Sequence, residues 1–275
     1  MVDQGEYYSR TRRARYEEAL RNPGALVGVP FPLPHFKPHR ILLEKIRSHR
    51  PGDFRKVRLL DLGCGEGAWA CYLAGCGFDV TALDISATNI DLLRLRAERN
   101  GLTTIRSVVG DCVQTGLDSG SFDVLLGVAL IHHLEVEQER ALYREVHRLL
   151  APGGLALFCE PLHNCRVFDF LMSLVPVRQR HNPRPGRLSP EWKEHTLHDP
   201  HPVRPDTTRH YKEMLSGTDF RKVEVEEVGV FSRLDRFTTH PELRRWIHDV
   251  DYRIGRFLPF HGALSRNIVI TLLKG

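Results

Sequence analysis

The apolar residues between positions 57 and 160 follow two alternating spacings. Short apolar runs typical of buried strands occur at 57–62, 78–84, 105–109, 122–130 and 155–159. Apolar residues recur at helical spacing between these runs, over 67–75, 87–99 and 136–150. Ser86 is the predicted N-cap of the second helix. Strands separated by helices predict right-handed crossovers and a parallel sheet covered on both faces, which is a doubly wound α/β fold.

The rest of the chain differs in composition and in the spacing of its apolar residues. Pro, His and Arg are frequent in residues 161–205, which we interpret as an irregular, lid-like insertion that includes a short helix near 166–174. A helix capped by Asp206 is predicted over 206–216. Two strand-like segments near the C-terminal end predict an antiparallel addition to the sheet edge, at 222–230 and 268–273.

Composition restricts the class of protein. The 275 residues can bury a sizeable core without disulfides. No apolar run approaches the ~20 residues of a membrane span, and the first residues lack a signal-peptide pattern. The six cysteines form no CxxC pair, which favours reduced thiols. We therefore expect a soluble cytoplasmic protein.

A glycine-rich segment gives the first chemical signal. Residues 59–67 read Leu-Leu-Asp-Leu-Gly-Cys-Gly-Glu-Gly, directly between the first strand and the following helix. Glycines let the backbone approach a ligand, and the N–H groups of a helix start favour a negative group. Asp84 ends the second strand, where a carboxylate can accept ribose hydroxyls, and Asp111 follows the third strand. These residues predict a ligand site along the carboxyl edge of the sheet.

These motifs resemble those of class I S-adenosylmethionine-dependent methyltransferases, in particular the ubiquinone/menaquinone-biosynthesis-type branch. The resemblance covers about residues 55–160 and rests on Asp-Leu-Gly-Cys-Gly-Glu-Gly, Leu-Asp-Ile-Ser, Gly-Asp-Cys, Ser-Phe-Asp-Val with Leu-Ile-His-His-Leu, and Leu-Ala-Pro-Gly-Gly. It implies a Rossmann-like seven-stranded sheet, mostly parallel with one antiparallel strand near the edge. It also implies S-adenosyl-L-methionine as the cofactor. The expected division is a helical cap segment at 1–54 and a methyltransferase domain at 55–275, with acceptor-pocket insertions at about 161–205 and 231–263.

The resemblance carries over to particular positions at the methionine end of the cofactor. Asp61, Gly63 and Gly65 would lie near the methionine moiety, and Val128 would lie near the sulfonium.

The adenosine end is implied in the same way. Asp84 would hold the ribose, with Ile85 against the adenine, while Asp111 would meet the adenine amino group beside the backbone of Cys112. A nicotinamide-dependent enzyme is the alternative for such a site. Its fingerprint is GxGxxG, whereas this loop reads GxGxG.

Methyl transfer is an in-line displacement, so the protein mainly positions the nucleophile and removes its proton. His133 is the favoured base and His132 the second candidate, because both follow the fourth strand. Neighbouring side chains are expected to point apart, so that at most one faces the substrate and the other caps or packs the next helix. Glu160, at the end of the fifth strand, could orient the substrate or satisfy loop amides.

The N-terminal segment supplies further candidates. Residues 6–16 are expected to form an amphipathic helix, and in this family an N-terminal element often closes over the cofactor. Tyr7 or Tyr8 is therefore a candidate substrate contact, with packing on the sheet as the alternative, and His163 is a candidate in the loop after the fifth strand. Lys and Arg outnumber Asp and Glu about two to one in residues 1–58. The arginines that could neutralise an anionic substrate are Arg12, Arg13 and Arg15.

The sequence thus predicts an S-adenosylmethionine-dependent methyltransferase that acts on O or N of a small metabolite, and the basic N-terminal segment favours an acidic one. The alternatives are an RNA methyltransferase and a non-catalytic cofactor-binding partner subunit. No RNA-binding module is recognisable, so a nucleic-acid partner is not expected, nor is a membrane. A zinc site at His195, His198 and His201 is weaker than a solvated loop because Pro200 interrupts the helix that this spacing needs. No metal is expected, and no motif specifies the oligomeric state.

Overall fold

The computed structural model describes residues 4–26, 37–165, 204–231 and 240–275, with the single positions 167, 170, 202, 234 and 238. The strands are β1 (Arg58–Leu62), β2 (Asp79–Asp84), β3 (Arg106–Val109), β4 (Phe122–Val128), β5 (Leu150–Pro161), β6 (Lys222–Val228) and β7 (Asn267–Leu273). The helices are α1 (Gln4–Arg21), α2 (Lys37–His49), α3 (Ala68–Gly75), α4 (Ala87–Arg99), α5 (Val136–Leu149), α6 (Thr208–Leu215), α7 (Pro241–Ile254) and α8 (His261–Leu264).

Seven strands of the described chain form one sheet in the order β3-β2-β1-β4-β5-β7-β6. The first five strands pair in parallel, and β7 runs antiparallel to both β5 and β6. The chain moves outwards from β1 to β3 and then crosses back to β4, so β1 and β4 flank the topological switch point. This arrangement confirms the predicted doubly wound sheet with one antiparallel strand near its edge.

The core has two layers because side chains alternate along each strand. Leu60 and Leu62 of β1 pack in the layer that contains α5 and α6, whereas Leu59 packs in the layer that contains α2, α3 and α4. The apolar stripes predicted on the helices are buried as expected: Ile90, Leu93 and Ala97 on α4, and Leu142, Val146 and Leu149 on α5. Helix α2 lies in the segment 1–54, which was expected to be helical without bounds for this helix, and its Leu42 and Ile46 are fully buried against the sheet.

Three local predictions need correction. Strand β5 begins at Leu150 rather than 155, because Leu150 pairs with Phe122 across a register shift and Gly153 adopts a positive φ of 68° that lets the strand continue past the glycine pair. Helix α6 begins after Thr207, whose hydroxyl accepts from the backbone N–H of His210, and Asp206 is not its cap. Helix α1 is also longer than residues 6–16.

Several predicted features lie outside the described residues. They include most of the insertion at 161–205, its short helix apart from positions 167 and 170, and the three histidines proposed as an alternative zinc site. Within the described chain, no group of three His, Cys, Asp or Glu side chains is arranged to hold a metal ion. No helix in that part of the chain combines the length and the apolar character of a membrane span.

Candidate active site

A cavity of about 300 Å³ opens at the carboxyl ends of β1, β2 and β4, a volume at the lower end of the range for small-molecule sites. Helix α1 covers it from the opposite side. The predicted site residues that line it are Tyr8, Gly63, Gly65, Asp84, Ile85, Asp111, Cys112, Val128 and His133. The predicted residues outside its lining are Tyr7, Asp61, His132, Glu160 and His163.

The glycines of the turn after β1 have two separate functions. Gly63, Gly65 and Gly67 all have positive φ, at 70°, 52° and 77°, a region that glycine adopts without strain. A Cβ on Gly63 would lie 2.7 Å from Leu130, and one on Gly67 would lie 2.5 Å from Leu93. A Cβ on Gly65 would meet no atom of the described residues within 4 Å. The outer two glycines therefore permit close packing, whereas Gly65 presents bare backbone to the cavity.

Asp84 ties this turn to the end of β2. One carboxylate oxygen accepts from the backbone N–H of Gly65 at 2.8 Å. The other accepts from the N–H of Ser86 at 2.9 Å and from the side-chain amide of Asn89 at 3.1 Å. A carboxylate offers about four acceptor directions, so about one remains for a ligand. Ser86 caps α4 as predicted, since its hydroxyl accepts from the N–H of Asn89.

One side of the cavity combines apolar surface with a second carboxylate. Ile85 is 41% exposed although it follows a buried strand. Asp111 is exposed, and one of its oxygens accepts from the N–H of Val113 at 3.0 Å. Cys112 beside it is buried; burial, followed by the charge of Asp111, raises the pKa of the thiol to about 12. The thiol is therefore neutral, and the polar character of this side comes from Asp111.

Asp61 is the buried acid of the group. It is 2% exposed at the end of β1, and its Oδ2 has no hydrogen-bond partner among the described residues. Burial raises the pKa of Asp61 to about 7, and the nearby Asp84 carboxylate adds to this effect. A buried polar atom without a partner carries a free-energy cost. A cationic ligand group close to Asp61 would relieve that cost.

The two histidines lie together, which corrects the expectation that they point apart. Ile131–His133 forms a single 3-10 turn, in which successive side chains are separated by about 120° rather than by the 180° of a strand. The rings of His132 and His133 have centroids 4.1 Å apart. His133 lines the cavity, and His132 Nδ1 lies 2.8 Å from Glu160 Oε2.

Glu160 faces the histidine turn rather than the cavity. Its side chain is fully buried and accepts from the backbone N–H groups of Leu130 and Ile131, at 2.9 and 3.0 Å. Within the described part of the chain, the Glu160 carboxylate thus hydrogen-bonds with the turn and with Leu130 directly before it. These contacts are those of the second interpretation of Glu160, in which it satisfies loop amides.

Helix α1 is fastened over the cavity by ion pairs with the glycine turn. Arg12 and Arg15 lie 3.3 and 2.8 Å from the two carboxylate oxygens of Glu66, and Arg96 of α4 lies 3.7 Å away. The side chain of Glu66 is only 14% exposed. Arg12 also lines the cavity, whereas Arg13 pairs with Glu17 on the outer side of α1.

The remaining candidates, Tyr7, Tyr8 and His163, differ in whether they line the cavity. The Tyr8 hydroxyl lies 2.8 Å from His133 Nδ1, and Tyr7 packs edge-on against the Tyr8 ring at 5.3 Å. His163 is exposed, and its backbone N–H donates to the carbonyl of Asp206 at 2.7 Å. Of the two candidates Tyr7 and Tyr8, it is thus Tyr8 that lines the cavity.

Sequence reasoning missed eight residues that line the cavity, among them Asn89, Leu130 and Gln138. Asn89 follows the Ser86 cap by three positions, and Gln138 has the same relation to Glu135 in a reciprocal capping box. The capping patterns at the starts of α4 and α5, which both lie at the carboxyl edge of the sheet, were the sequence signal that could have identified Asn89 and Gln138.

Residues 59–154 match the protein-family model described as "Methyltransferase domain". This part of the chain is similar to methyltransferase domains. The matched segment begins in β1 and ends in β5, and it includes the glycine turn, both cavity carboxylates and the histidine turn.

Two curated relatives of the chain carry the same name. The ubiquinone biosynthesis O-methyltransferase of Rickettsia typhi is 34% identical over 122 residues, which cover 42% of this chain and 45% of that protein. The protein of that name from Pectobacterium atrosepticum is 31% identical over 154 residues, covering 51% and 62%. The chain therefore spans about half the length of the curated relatives it matches.

Solved structures share the fold of the chain. Phosphoethanolamine N-methyltransferase 2 of Haemonchus contortus, solved with S-adenosyl-L-methionine, aligns with a TM-score of 0.60 at 16% identity, covering 100% of this chain and 60% of that chain. The [4+2]-cyclase SpnF aligns with a TM-score of 0.57 at 16% identity, covering 97% and 96%. At such identities the likeness concerns the fold alone, and proteins with this fold include one that is named for a cyclisation.

Proposed function

We propose that this protein uses S-adenosyl-L-methionine to methylate a hydroxyl oxygen of a small molecule. The cavity at the switch point carries this proposal, because it joins a glycine turn and two carboxylates on one side with a tyrosine–histidine pair on the other. The relatives above 30% identity, which are named O-methyltransferases, favour oxygen over nitrogen as the methylated atom.

The donor set suits the adenosine part of this cofactor. Asp84 keeps about one acceptor direction for a ribose hydroxyl. Asp111 offers an exposed carboxylate to the adenine amino group, with the Cys112 backbone beside it. Ile85 offers an apolar surface to the base that would otherwise remain exposed to water.

The methionine part would be held at the end of β1. Gly63 and Gly65 present backbone there, and Val128 lies at the end of β4, near the expected sulfonium. The unpartnered Oδ2 of Asp61 suits the amino group of the methionine moiety, which is a cation. When bound, S-adenosyl-L-methionine supplies a methyl group on a positively charged sulfur, so the carbon is already electrophilic.

The task left to the chain is to orient the acceptor and remove its proton. We propose His133 as the general base, since an imidazole changes charge near neutral pH. Tyr8 would orient His133 through the contact at Nδ1 and would also touch the acceptor. His132 and Glu160 would support His133 from behind, as a stacked ring and the carboxylate that anchors it.

We further propose an anionic acceptor of the phenolic, quinone-precursor type. Arg12 supplies a cation at the cavity, although Glu66 shares its charge. In this arrangement residues 1–54 act as a cap, in which α1 closes the site. The insertions at 161–205 and 231–263 would border the acceptor, and His163 would lie at the outer edge of that region.

The proposal can be tested with purified protein and S-adenosyl-L-methionine labelled in its methyl group. The acceptor probes are 3,4-dihydroxybenzoate, catechol and phosphoethanolamine. We expect label in the dihydroxybenzoate ether, less in that of catechol and none in phosphoethanolamine. Titration calorimetry with S-adenosylhomocysteine on wild type and Asp84→Ala reports the cofactor site separately, with binding expected in the wild type only.

Two results would overturn the proposal. A folded wild type that binds neither S-adenosyl-L-methionine nor S-adenosylhomocysteine has no such cofactor site. Binding without transfer to any of the probes would instead favour the alternative of a non-catalytic partner subunit.

A further inference from the structure

The histidine turn is held on two sides by side chains that come from distant parts of the chain. Glu160 accepts from its backbone N–H groups, as described above. Arg204 binds the opposite polar groups, since its Nη1 donates to the carbonyls of Ile131 and Leu134 at 2.8 and 2.7 Å. A turn of three residues has few hydrogen bonds of its own. Its position is therefore set by Glu160 and Arg204 together.

Arg204 is itself fixed in a buried network. Its side chain is 1% exposed; Nη2 donates to the fully buried carboxylate of Glu139, and Nε donates to Asp206 at 2.9 Å. Glu139 also contacts His210 Nε2 and the Tyr143 hydroxyl, both at 2.8 Å. Burial opposes the guanidinium charge, but Glu139 and the other acidic neighbours raise the pKa of Arg204 overall. The planar fork of an arginine thus meets acceptors in several fixed directions.

The place of Arg204 in the chain gives this network its significance. Arg204 stands at the end of the 161–205 insertion, two residues before Asp206 and four before α6. Asp206 interacts electrostatically with His132, in addition to its hydrogen bond with Arg204. The segment that returns from the insertion is therefore bonded directly to the turn that carries His132 and His133.

Resting on the function proposed above, we propose that Arg204 is a positioning residue for methyl transfer. It holds the carbonyls of the turn so that His133 meets Tyr8 at the cavity, and it links the position of His133 to the end of the insertion. Arg204 does not line the cavity, so its effect passes through the backbone of the turn. The competing interpretation is a buried ion pair that contributes to folding alone.

The variants must separate these two interpretations. Arg204→Met leaves the buried Glu139 charge without its cation, a change that can unfold a protein. The double variant Arg204→Met with Glu139→Gln removes both charges and avoids this problem. Arg204→Lys retains the charge but loses the planar guanidinium group with its fixed donor directions. Arg209→Met is the matched control, because Arg209 is an 88% exposed arginine on α6 whose partner within the described chain is Glu213.

Three measurements are made on folded variants, as judged by thermal unfolding. The first is the Kd of S-adenosylhomocysteine, which we expect to stay within about threefold of wild type. The second is methyl transfer to 3,4-dihydroxybenzoate, whose kcat we expect to fall by about 10²-fold in the double variant, because misplacement of about 1 Å costs that much. Arg204→Lys should lie between, and Arg209→Met should match wild type.

The third measurement does not depend on the acceptor. Nuclear Overhauser effects between the labelled rings of Tyr8 and His133 report their contact, which we expect to weaken in the double variant and not in Arg209→Met. A folded double variant that retains this contact, or that retains wild-type kcat, overturns the proposal. If the wild type transfers no methyl group at all, the function proposed above fails, and the ring contact alone still decides the role of Arg204.

Discussion

Tyr8 and His133 lie 125 residues apart in the chain, yet the Tyr8 hydroxyl is 2.8 Å from His133 Nδ1. The rings meet edge-on, with centroids 5.6 Å apart. Because Tyr8 belongs to α1 and His133 to the turn after β4, this contact joins the covering helix to the sheet edge across the cavity. The position of α1 and the orientation of the imidazole are therefore linked by a direct contact.

Removing either member of this pair is expected to reduce methyl transfer more than cofactor binding. For His133→Asn we expect kcat to fall by about 10²- to 10⁴-fold, the usual contribution of a general base. For Tyr8→Phe, which keeps the ring and loses the hydroxyl, we expect a smaller loss. Steady-state kinetics and calorimetry with S-adenosylhomocysteine measure both quantities.

Tyr16→Phe is the control for this prediction. Tyr16 is on the same helix and packs in a separate apolar cluster with Ala19 and Leu92. Equal losses in Tyr16→Phe and Tyr8→Phe would mean that the hydroxyl of Tyr8 has no particular role.

The ion pairs of Glu66 predict how firmly α1 closes. Glu66→Gln removes the carboxylate shared by Arg12 and Arg15, so we expect S-adenosylhomocysteine to dissociate several-fold faster in stopped-flow experiments. Single surface pairs contribute about 0–1 kcal/mol, whereas a network around a mostly buried carboxylate contributes more. The difference from wild type should shrink in 1 M salt, which screens charges beyond about 3 Å.

The matched comparison is Glu17→Gln. Glu17 pairs with Arg13 on the same helix, but both side chains are more than half exposed. We expect no change in dissociation for this variant. A dissociation rate in Glu66→Gln equal to that of wild type at low salt would argue against closure by these pairs.

Sequence periodicity was sufficient for the sheet and for the buried stripes of α4 and α5, because burial repeats with the local geometry of each element. The glycine turn and the three acids were also predictable, since strand ends in a parallel sheet meet at one edge. Accordingly, the backbone N–H of Gly65 after β1 donates to the carboxylate of Asp84 at the end of β2.

Long-range partners were the part that the sequence could not supply. Glu160 offered two interpretations of equal weight, and only its distance from the amides of Leu130 and Ile131 decides between them. The approach of Arg204 to a turn 70 residues earlier has no local signature. The orientation of His132 depended on a 3-10 turn that neither apolar spacing nor propensity predicted.

Substitution of two glycines in the same turn is expected to impair different properties, stability at Gly63 and ligand affinity at Gly65. Gly63→Ala places a methyl group 2.7 Å from Leu130, so we expect loss of stability, seen as a lower unfolding temperature. Gly65→Ala meets no atom of the described residues within 4 Å, and we expect a cost of about 1–2 kcal/mol for its positive φ but a large loss of S-adenosylhomocysteine affinity. Normal affinity in Gly65→Ala would show that the ligand does not approach this backbone.

The pKa of Asp61 predicts how stability depends on pH. Its value of about 7 in the folded protein compares with about 3.9 in an unfolded chain. Between these values the folded state binds more protons, so the free energy of unfolding falls as pH rises, by up to about 1.4 kcal/mol per pH unit. Asp61→Asn removes this dependence, and we expect it to stabilise the cofactor-free protein at pH 8 more than at pH 5, measured by urea unfolding.

The same titration should act on cofactor affinity with the opposite sign. If Asp61 accepts the amino group of S-adenosylhomocysteine, the ionised carboxylate binds this cation more strongly than the neutral acid does. Wild-type affinity should therefore rise as pH increases through about 7, whereas Asp61→Asn should bind weakly without this rise. Calorimetry at pH 5.5, 7 and 8 measures both proteins, and an equal pH profile in the two would place the amino group away from Asp61. Because stability falls and affinity rises over the same pH range, the ligand would offset the cost of ionising this buried acid.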